Sequence, residues 1–313
     1  MLTYILRRVA ATIPVMGLVA LFVFSLLYIA PGDPAAIIAG DQATTQQIAH
    51  IRATLGLDKP FVVRFANWLW QVVHGNLGTS IFTNLPVLKM IEQRAPTTIS
   101  LMVITLVMSI AIAVPMGVLA AWKAGTWVDR LIMVLAVMGF SVPVFVVGYL
   151  LAYMFALKLP WFPVQGYEPL SHGFWPWLRS LILPSLTLGG IYIALIARIT
   201  RATMLEVLSQ DYIRTARAKG VGRRAILYVH ALKNAAVPIV TIIGIGFAAL
   251  IGGAVVTESV FALPGIGRLT VDAILQRDYP VIQGVVLVFS FVYVLVNLVV
   301  DLLYTLFYPR IRY

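Results

Sequence analysis

The sequence contains no cysteine among its 313 residues, and it is poor in charged residues. Without cysteine, no disulfide, iron–sulfur cluster or thiolate metal site can form. Lys, Arg, Asp and Glu make up 11% of the chain, whereas soluble domains carry about 25%. Hydrophobic residues reach 61%, and the mean hydropathy is +0.94. The composition therefore predicts a chain whose main solvent is a lipid bilayer.

Sequence motifs of enzymatic chemistry are also absent. The four histidines are scattered, and no helical two-histidine metal motif, G-x-S-x-G elbow or G-x-x-x-x-G-K-[ST] phosphate loop occurs. An intramembrane enzyme would need a nucleophile–base or metal pair within its spans, and the sequence offers none. We therefore expect a protein that is not an enzyme and that binds no metal and no cofactor of its own.

Long runs without charge dominate the chain. A helix needs about 20 apolar residues to cross a hydrocarbon core of about 30 Å. The first run is too long for a signal peptide and lacks a small-x-small cleavage site, so we interpret it as a retained helix. The pattern predicts an all-α membrane protein with six transmembrane helices. The six runs are Val9–Ala30, Ala95–Trp122, Leu131–Leu157, Ser180–Ala197, Asn234–Thr257 and Tyr279–Val300, the last continuing to Phe307.

The positive charge is concentrated on one side of these spans. With both termini in the cytoplasm, the inner segments hold 14 Lys and Arg against three Asp and Glu, and the outer segments hold nine against eight. This is the distribution that the positive-inside rule predicts. The net charge of +11 therefore reports membrane topology, and it gives no reason to expect a nucleic-acid partner.

The orientation divides the chain into three parts. Residues 1–94 are expected to form the first helix and a long periplasmic segment, residues 95–307 the transmembrane domain with a cytoplasmic loop at 202–233, and residues 308–313 a cytoplasmic tail. The outer segment contains an amphipathic stretch, Phe61–His74, with apolar residues at helical spacing. Its apolar face either packs on the protein's own outer surface or faces lipid.

The cytoplasmic loop carries strong helix signals. Thr203-Met-Leu-Glu206 fits a capping box, and Asp211 is a good N-cap for a helix over Tyr212–Lys219. Gly220 stands where a glycine would terminate that helix. A helix of about two turns is marginal alone in water, so we expect it to pack on something. Tyr212 and Ile213 are the expected anchors for a partner's groove.

Three further features lie within the spans. Asn297 and Asp301 are one helical turn apart, and an intramembrane carboxylate is either structural, paired with a cytoplasmic basic residue, or part of a proton relay. Pro143 is expected to kink the third span, where it either shapes a path or packs. Gly252-Gly253 is expected to permit close helix approach.

Eight segments in a fixed order are informative together. They are Pro31-Gly-Asp-Pro34, Leu55-Gly-Leu-Asp-Lys-Pro60, Gly75-Asn-Leu-Gly-Thr-Ser80, Asp211-Tyr-Ile-Arg-Thr-Ala-Arg-Ala-Lys-Gly220, Glu258-Ser-Val-Phe-Ala-Leu-Pro-Gly-Ile-Gly267, Arg277-Asp-Tyr-Pro-Val281, Asn297-Leu-Val-Val-Asp301 and Pro309-Arg-Ile-Arg312. This ordered set resembles one family, the dipeptide/oligopeptide/nickel permeases of ATP-binding cassette importers, and the resemblance covers nearly the whole chain. At the family's Glu-Ala-Ala signature this chain has Arg214-Thr-Ala216.

The resemblance implies a type I importer transmembrane domain in the bacterial inner membrane. It implies a second related permease, two ATPase subunits that bind ATP and Mg²⁺, a periplasmic binding protein, and dipeptides, oligopeptides or a related solute such as glutathione, nickel complexes or haem as cargo. The rival hypothesis is a proton-coupled transporter that uses Asp301. The segment implied to contact the ATPase comprises Asp211, Tyr212, Ile213, Arg214, Thr215, Ala216, Arg217, Ala218, Lys219 and Gly220.

Overall fold

The computed structural model describes residues 2–29, 35–36, 44–54 and 57–307, with side chains over 8–26, 35–36, 44–49, 52–53 and 57–299. Within these ranges the chain is almost entirely helical, and its only β-type pairing is a bridge between Thr79 and Pro86. The helices are α1 (Leu2–Ile29), α2 (Thr45–Thr54), α3 (Phe61–Val73), α4 (Val87–Trp122), α5 (Trp127–Ser141), α6 (Val144–Ala152), α7 (Phe174–Leu208), α8 (Asp211–Ala218), α9 (Leu232–Val260), α10 (Ile266–Gln276) and α11 (Tyr279–Phe307).

Two short π-helical segments extend these helices. Tyr153–Lys158 continues α6, and Ile226–Ala231 leads into α9 after a single turn at Arg223–Ala225. Over the described residues, five helical stretches are long and apolar enough to cross a membrane, and α5 with α6 makes a sixth if the bent pair is one span. The prediction of an all-α membrane protein with six transmembrane helices is therefore confirmed, with the bent pair α5–α6 as the sixth span.

The predicted third span, Leu131–Leu157, is broken rather than kinked. The helix axis bends by 108° between α5 and the helix that begins at Val144. Val142 is extended (φ −95°, ψ 127°) and Pro143 precedes α6 (φ −57°, ψ 139°). Proline disfavours the helical conformation of the residue before it and supplies no N–H to the preceding turn. Both effects end α5 at Ser141 and restart the helix at Val144.

The chain divides into two units, of which the first contains Met1–Pro96 and Leu269–Leu298. Within it, the apolar face of α3 packs on α1, where the Phe24 ring lies 5.2 to 5.5 Å from the rings of Phe61, Phe65 and Trp68. The amphipathic stretch thus packs on the protein itself, although Trp70 on its other face is 68% exposed.

A turn in the same unit is fixed by a buried polar pair. The Ser80 hydroxyl donates to an Asp278 carboxylate oxygen at 2.5 Å, and the Ile81 N–H donates to the other oxygen at 3.3 Å. Asp278 directly precedes α11, so its carboxylate ties the 78–87 turn to the start of that helix. Two of the segments that carry the family resemblance, 75–80 and 277–281, therefore meet in space.

The second unit, Thr97–Arg268 with Val299–Tyr313, is built around α7. This helix contacts α5, α6 and α9, and small residues let the backbones approach closely. A Cβ on Gly139 would lie 3.1 Å from the Ala194 Cβ, and one on Gly253 would lie 2.6 Å from a Leu188 methyl carbon. The close approach predicted for Gly252-Gly253 is confirmed for Gly253 alone, since a Cβ on Gly252 meets nothing within 4 Å.

Several sequence features fall outside the described residues. These are Pro31–Pro34, Leu55 and Gly56, the 308–313 tail that includes Pro309–Arg312, and the side chain of Asp301, whose backbone continues α11. The Asn297 side chain donates to the Tyr293 carbonyl of its own helix at 2.9 Å. The expected pairing of Asp301 stays a prediction.

Candidate coupling site

The helix α7 runs further than the sequence predicted. The fourth apolar run ends at Ala197, but α7 continues to Leu208. The predicted capping box at Thr203 is wrong, because Thr203 lies inside the helix and its hydroxyl donates to the Ile199 carbonyl at 2.9 Å. A helix already propagating from the membrane needs no new start. The turn at Ser209-Gln210 is therefore the only connection between α7 and α8.

The predicted short helix is present as α8, Asp211–Ala218. Its N-cap is Gln210, which is extended, so the prediction that Asp211 caps the helix is wrong by one residue. Asp211 instead lies in the first turn, where its charge complements the helix dipole. It also forms an ion pair with Arg214 at 3.3 Å, but both side chains are exposed, and such pairs contribute little.

The predicted termination of α8 at Gly220 is confirmed. Gly220 has φ +76°, a left-handed conformation that costs an L-residue energy. Its N–H donates to the Arg217 carbonyl at 3.0 Å, and the Val221 N–H donates to the Ala216 carbonyl at 3.1 Å. These two bonds form a Schellman motif, which satisfies carbonyls at the end of the helix.

Ile213 anchors α8 to the protein's own membrane helices. Its side chain is fully buried, so the expectation that it anchors a partner's groove is wrong. Tyr212, in contrast, is 45% exposed. Hydrophobic burial of one face holds α8 in place and leaves the opposite face open. The buried side chains packed with Ile213 are Val118, Ala121, Met204, Ile226, Leu227, Ala231, Ala235 and Ile239.

A cleft of 670 Å³ lies beside α8. Apolar side chains form most of its wall, and Arg217 and Arg223 are its two charged residues. It is open on one side, so a protruding side chain or loop of another molecule can enter it. The remaining wall residues are Ala121, Trp122, Leu205, Leu208, Ser209, Val221, Ile226 and Leu227.

An ion pair that the sequence did not reveal joins the first turn of α5 to α7. The Arg201 guanidinium donates to both oxygens of Asp129, at 2.5 Å and 2.7 Å. The Gly125 N–H donates to the same carboxylate at 3.0 Å, and the Asp129 side chain is almost fully buried. The only sequence signal was an acid in the first turn of a helix, since the two residues are 72 positions apart.

One other predicted site residue, Pro143, lies apart from this constellation. Pro143 is at the α5–α6 break and lines neither the cleft nor the cluster around Ile213. No group of three or more His, Cys, Asp or Glu that could hold a metal occurs among the residues that the structure describes. The site thus consists of an amphipathic helix, a cleft and basic side chains, which suits protein–protein contact.

Comparison with known families matches almost the whole chain. Residues 113–313 match the family described as binding-protein-dependent transport system inner membrane component, and residues 1–102 match its N-terminal component. Together, the two matches cover all the segments on which the predicted resemblance rested. The comparisons give no support to a proton-coupled transporter that uses Asp301.

Relatives and a solved structure agree with the family match. The chain is 57% identical to a probable peptide ABC transporter permease protein of Sinorhizobium fredii over 99% of each chain. It is 48% identical to a putative peptide transport system permease protein of Brucella abortus, and 44% identical to the glutathione transport system permease protein GsiC of Salmonella typhimurium, over 100% of each chain. An inward-facing structure of the MetNI methionine ABC transporter matches with a TM-score of 0.57 and 15% identity, covering 68% of this chain and 94% of that one. The chain therefore belongs to the binding-protein-dependent transport system inner membrane components, and it is an inner-membrane permease subunit of an ABC importer.

Proposed function

We propose that this permease carries peptides inward across the inner membrane together with a second, related permease subunit. Two separate ATPase subunits bind ATP and Mg²⁺, and a periplasmic binding protein delivers the cargo. The names of the relatives at 57% and 48% identity support a peptide cargo. Glutathione, named for the relative at 44% identity, is itself a small peptide and belongs to the same chemical class.

The proposed point of attachment for the ATPase is α8 with its flanking cleft. The single observation that carries this proposal is the division of α8 into a buried face, through Ile213, and an exposed face that includes Tyr212. Because the turn at Ser209-Gln210 follows α7 directly, a displacement of α8 is passed to a membrane helix. Lipid contacts the apolar surface of the spans, and no nucleic acid takes part.

ATP drives transport in this scheme by shifting a conformational equilibrium. The ATPase pair must bind one arrangement of the permease helices more tightly than the other, since a ligand shifts an equilibrium only by its differential affinity. Closure of the ATPases on α8 is the step that supplies this difference. The permease itself performs no chemistry, and all ATP hydrolysis takes place on the partners.

The test of attachment is co-purification of Tyr212→Ala from native membranes in mild detergent. We expect the wild-type chain to bring down ATPases with ATP hydrolysis activity and the variant to lose most of both. Tyr149→Ala is the matched control, because Tyr149 is 61% exposed but lies in α6, away from α8. Equal recovery of ATPases with both variants would remove α8 from the interface.

The test of cargo is uptake into proteoliposomes that contain the purified importer and its binding protein. We expect ATP-dependent accumulation of labelled dipeptides or oligopeptides, with unlabelled glutathione as a competitor that measures how broad the peptide class is. Accumulation of a nickel complex or of haem, with none of any peptide, would contradict a peptide cargo.

A further inference from the structure

A buried carboxylate occupies the predicted outer end of α9. The Glu258 side chain has no solvent exposure, although glutamate is almost never fully buried unless it is paired. It lies two residues before the end of α9, at the start of the turn that leads to α10. Its surroundings are therefore expected to supply hydrogen-bond donors at well-defined positions.

Those donors come from two different elements. The Thr98 hydroxyl, on α4, donates to one carboxylate oxygen of Glu258 at 2.6 Å. The backbone N–H of Arg268, in the first turn of α10, donates to the other oxygen at 2.9 Å. Thr98 also accepts the backbone N–H of Ile266 at 2.8 Å. Two N–H groups at the start of α10, which its own backbone cannot satisfy, are thus satisfied by side chains from α9 and α4.

The glycines of the turn are explained by the same carboxylate. A Cβ on Gly265 would overlap the Glu258 carboxyl group. A Cβ on Gly267 would lie 2.9 Å from its Oε2 atom and 2.6 Å from the Val255 Cα. The segment Glu258-Ser-Val-Phe-Ala-Leu-Pro-Gly-Ile-Gly267 is therefore one packed unit in which the two glycines make room for the acid.

The turn is also connected to the segment between Lys158 and the start of α7 at Phe174. The Phe261 carbonyl accepts the Gly166 N–H at 3.1 Å, and the Ser100 and Tyr167 hydroxyls are 3.3 Å apart. At the other end of this path, the π-helical segment before α9 packs on α8, where Ile226, Leu227 and Ala231 share a cluster with Ile213. The helix α9 therefore runs from α8 to the Glu258 carboxylate.

We propose that Glu258 is a positioning residue for transport, which makes the 261–265 turn and the start of α10 follow every movement of α9. It does so by accepting hydrogen bonds from Thr98 and Arg268 at once. This inference rests on the proposed function, since it assumes that movement arises at α8. A displacement of α8 is carried along α9, and the Glu258 carboxylate transfers it to the outer turn.

Glu258→Gln is the direct test. It keeps the size of the side chain, but it removes the negative charge and one of the two acceptor oxygens, so the NH₂ group faces either the Arg268 N–H or a Thr98 hydroxyl that can no longer donate to it. Thr98→Val removes the hydroxyl with little change in shape and serves where the first variant fails to assemble. Thr98→Ser retains the hydroxyl and is the rescue variant. Glu168→Gln, the same substitution at an exposed outer residue, is the matched control.

Two measurements are made on the assembled importer. Hydrogen exchange measures how well the Ile266 and Arg268 amides are protected. Proteoliposomes measure peptide uptake and ATP hydrolysis in the same sample. Because a hydrogen bond to a charged group is lost, we expect Glu258→Gln and Thr98→Val to speed exchange and to lower uptake about tenfold at nearly unchanged ATP hydrolysis. Thr98→Ser and Glu168→Gln are expected to behave as wild type.

The outcomes separate this inference from the proposed function. Unchanged amide exchange in Glu258→Gln or Thr98→Val overturns the anchoring role, whether or not the importer is active. Faster amide exchange with unchanged peptide uptake overturns the role of Glu258 in transport. An equal loss of peptide uptake and of ATP hydrolysis also overturns it, because such a loss indicates only a structural defect. A wild-type chain that recruits no ATPase contradicts the proposed function, and the exchange measurement still decides whether Glu258 holds the turn.

Discussion

Arg201 and Asp129 form a bidentate ion pair, in which Nε and Nη2 of the arginine donate to the two carboxylate oxygens at 2.5 Å and 2.7 Å. The Asp129 side chain is 5% exposed and that of Arg201 is 28% exposed. The pair connects the first turn of α5 to the part of α7 that leads to α8. Removing one partner leaves the other charge in a poorly solvated position.

Arg201→Leu is therefore expected to destabilise the protein by about 2 kcal/mol, less than for a fully buried pair because Arg201 is partly solvated. Asp129→Leu is expected to cost a similar amount. The double variant is expected to recover much of the loss, since no unpaired charge remains. Thermal unfolding in detergent, followed by size-exclusion chromatography, measures all three. Additive losses in the double variant would show that the two side chains do not interact.

Asp211→Asn provides the control for that cycle. It breaks the 3.3 Å pair with Arg214, whose two side chains are 93% and 79% exposed. We expect no measurable change in thermal stability, because solvent and salt screen exposed charges. A loss of stability as large as that of Arg201→Leu would mean that burial does not explain the difference in strength between the two ion pairs.

Gly220→Ala is expected to loosen the end of α8. A Cβ there meets nothing within 4 Å, so the cost is the left-handed backbone conformation alone, about 1 kcal/mol. That cost raises the population of the open segment about fivefold. Limited trypsin cleavage after Arg217 and Lys219 measures it. Gly222→Ala is the matched control, since Gly222 is equally open but has φ −62°, and it should cleave at the wild-type rate.

Ile213→Ala is expected to weaken the packing of α8 against the membrane helices. The side chain is fully buried in the cluster with Met204 and Leu227, and such truncations cost about 2 to 4 kcal/mol. We expect a lower unfolding temperature together with weaker recovery of ATPases. Val229→Ala, at a side chain that is 59% exposed, should leave both unchanged. An unaltered unfolding temperature in Ile213→Ala would contradict the packing described for α8.

Gly253→Ala and Gly252→Ala, at adjacent positions, are expected to change the stability of the protein in opposite directions. The added methyl group on residue 253 would lie 2.6 Å from a Leu188 methyl carbon, and such overpacking costs about 1 to 3 kcal/mol. On residue 252 it meets nothing, and alanine favours a helix over glycine by up to about 1 kcal/mol. Thermal unfolding of the two variants distinguishes them, and equal shifts would show that α7 and α9 do not meet at residue 253.

The sequence predicted features that depend on local chemistry. The apolar runs located the spans, because the hydrophobicity of a segment depends only on its own residues. Gly220 located the end of α8, because a left-handed backbone conformation is a local preference of glycine. The helical spacing of apolar residues in Phe61–His74 also predicted that this stretch has an apolar face. Thr203 and Asp211 were misassigned because capping preferences are weak beside a helix that is already growing from the membrane.

Features that depend on distant partners could not be predicted in the same way. Burial of Ile213 depends on side chains up to 95 positions earlier, at Val118, and a short amphipathic helix does not indicate which molecule covers its apolar face. The Asp129–Arg201 and Thr98–Glu258 pairs join residues 72 and 160 positions apart. For Glu258 a signal did exist in Gly265 and Gly267, which follow the acid at a spacing that leaves room for it.

The 35 residues of α7 are continuous from Phe174 to Leu208, which corresponds to about 52 Å of helix. When a helix of this length tilts as one body by about 5° around one end, the other end moves by roughly 5 Å. In the proposed coupling through α8, a small rotation of the ATPases is enough to produce a displacement comparable to the width of a peptide backbone at the opposite membrane surface.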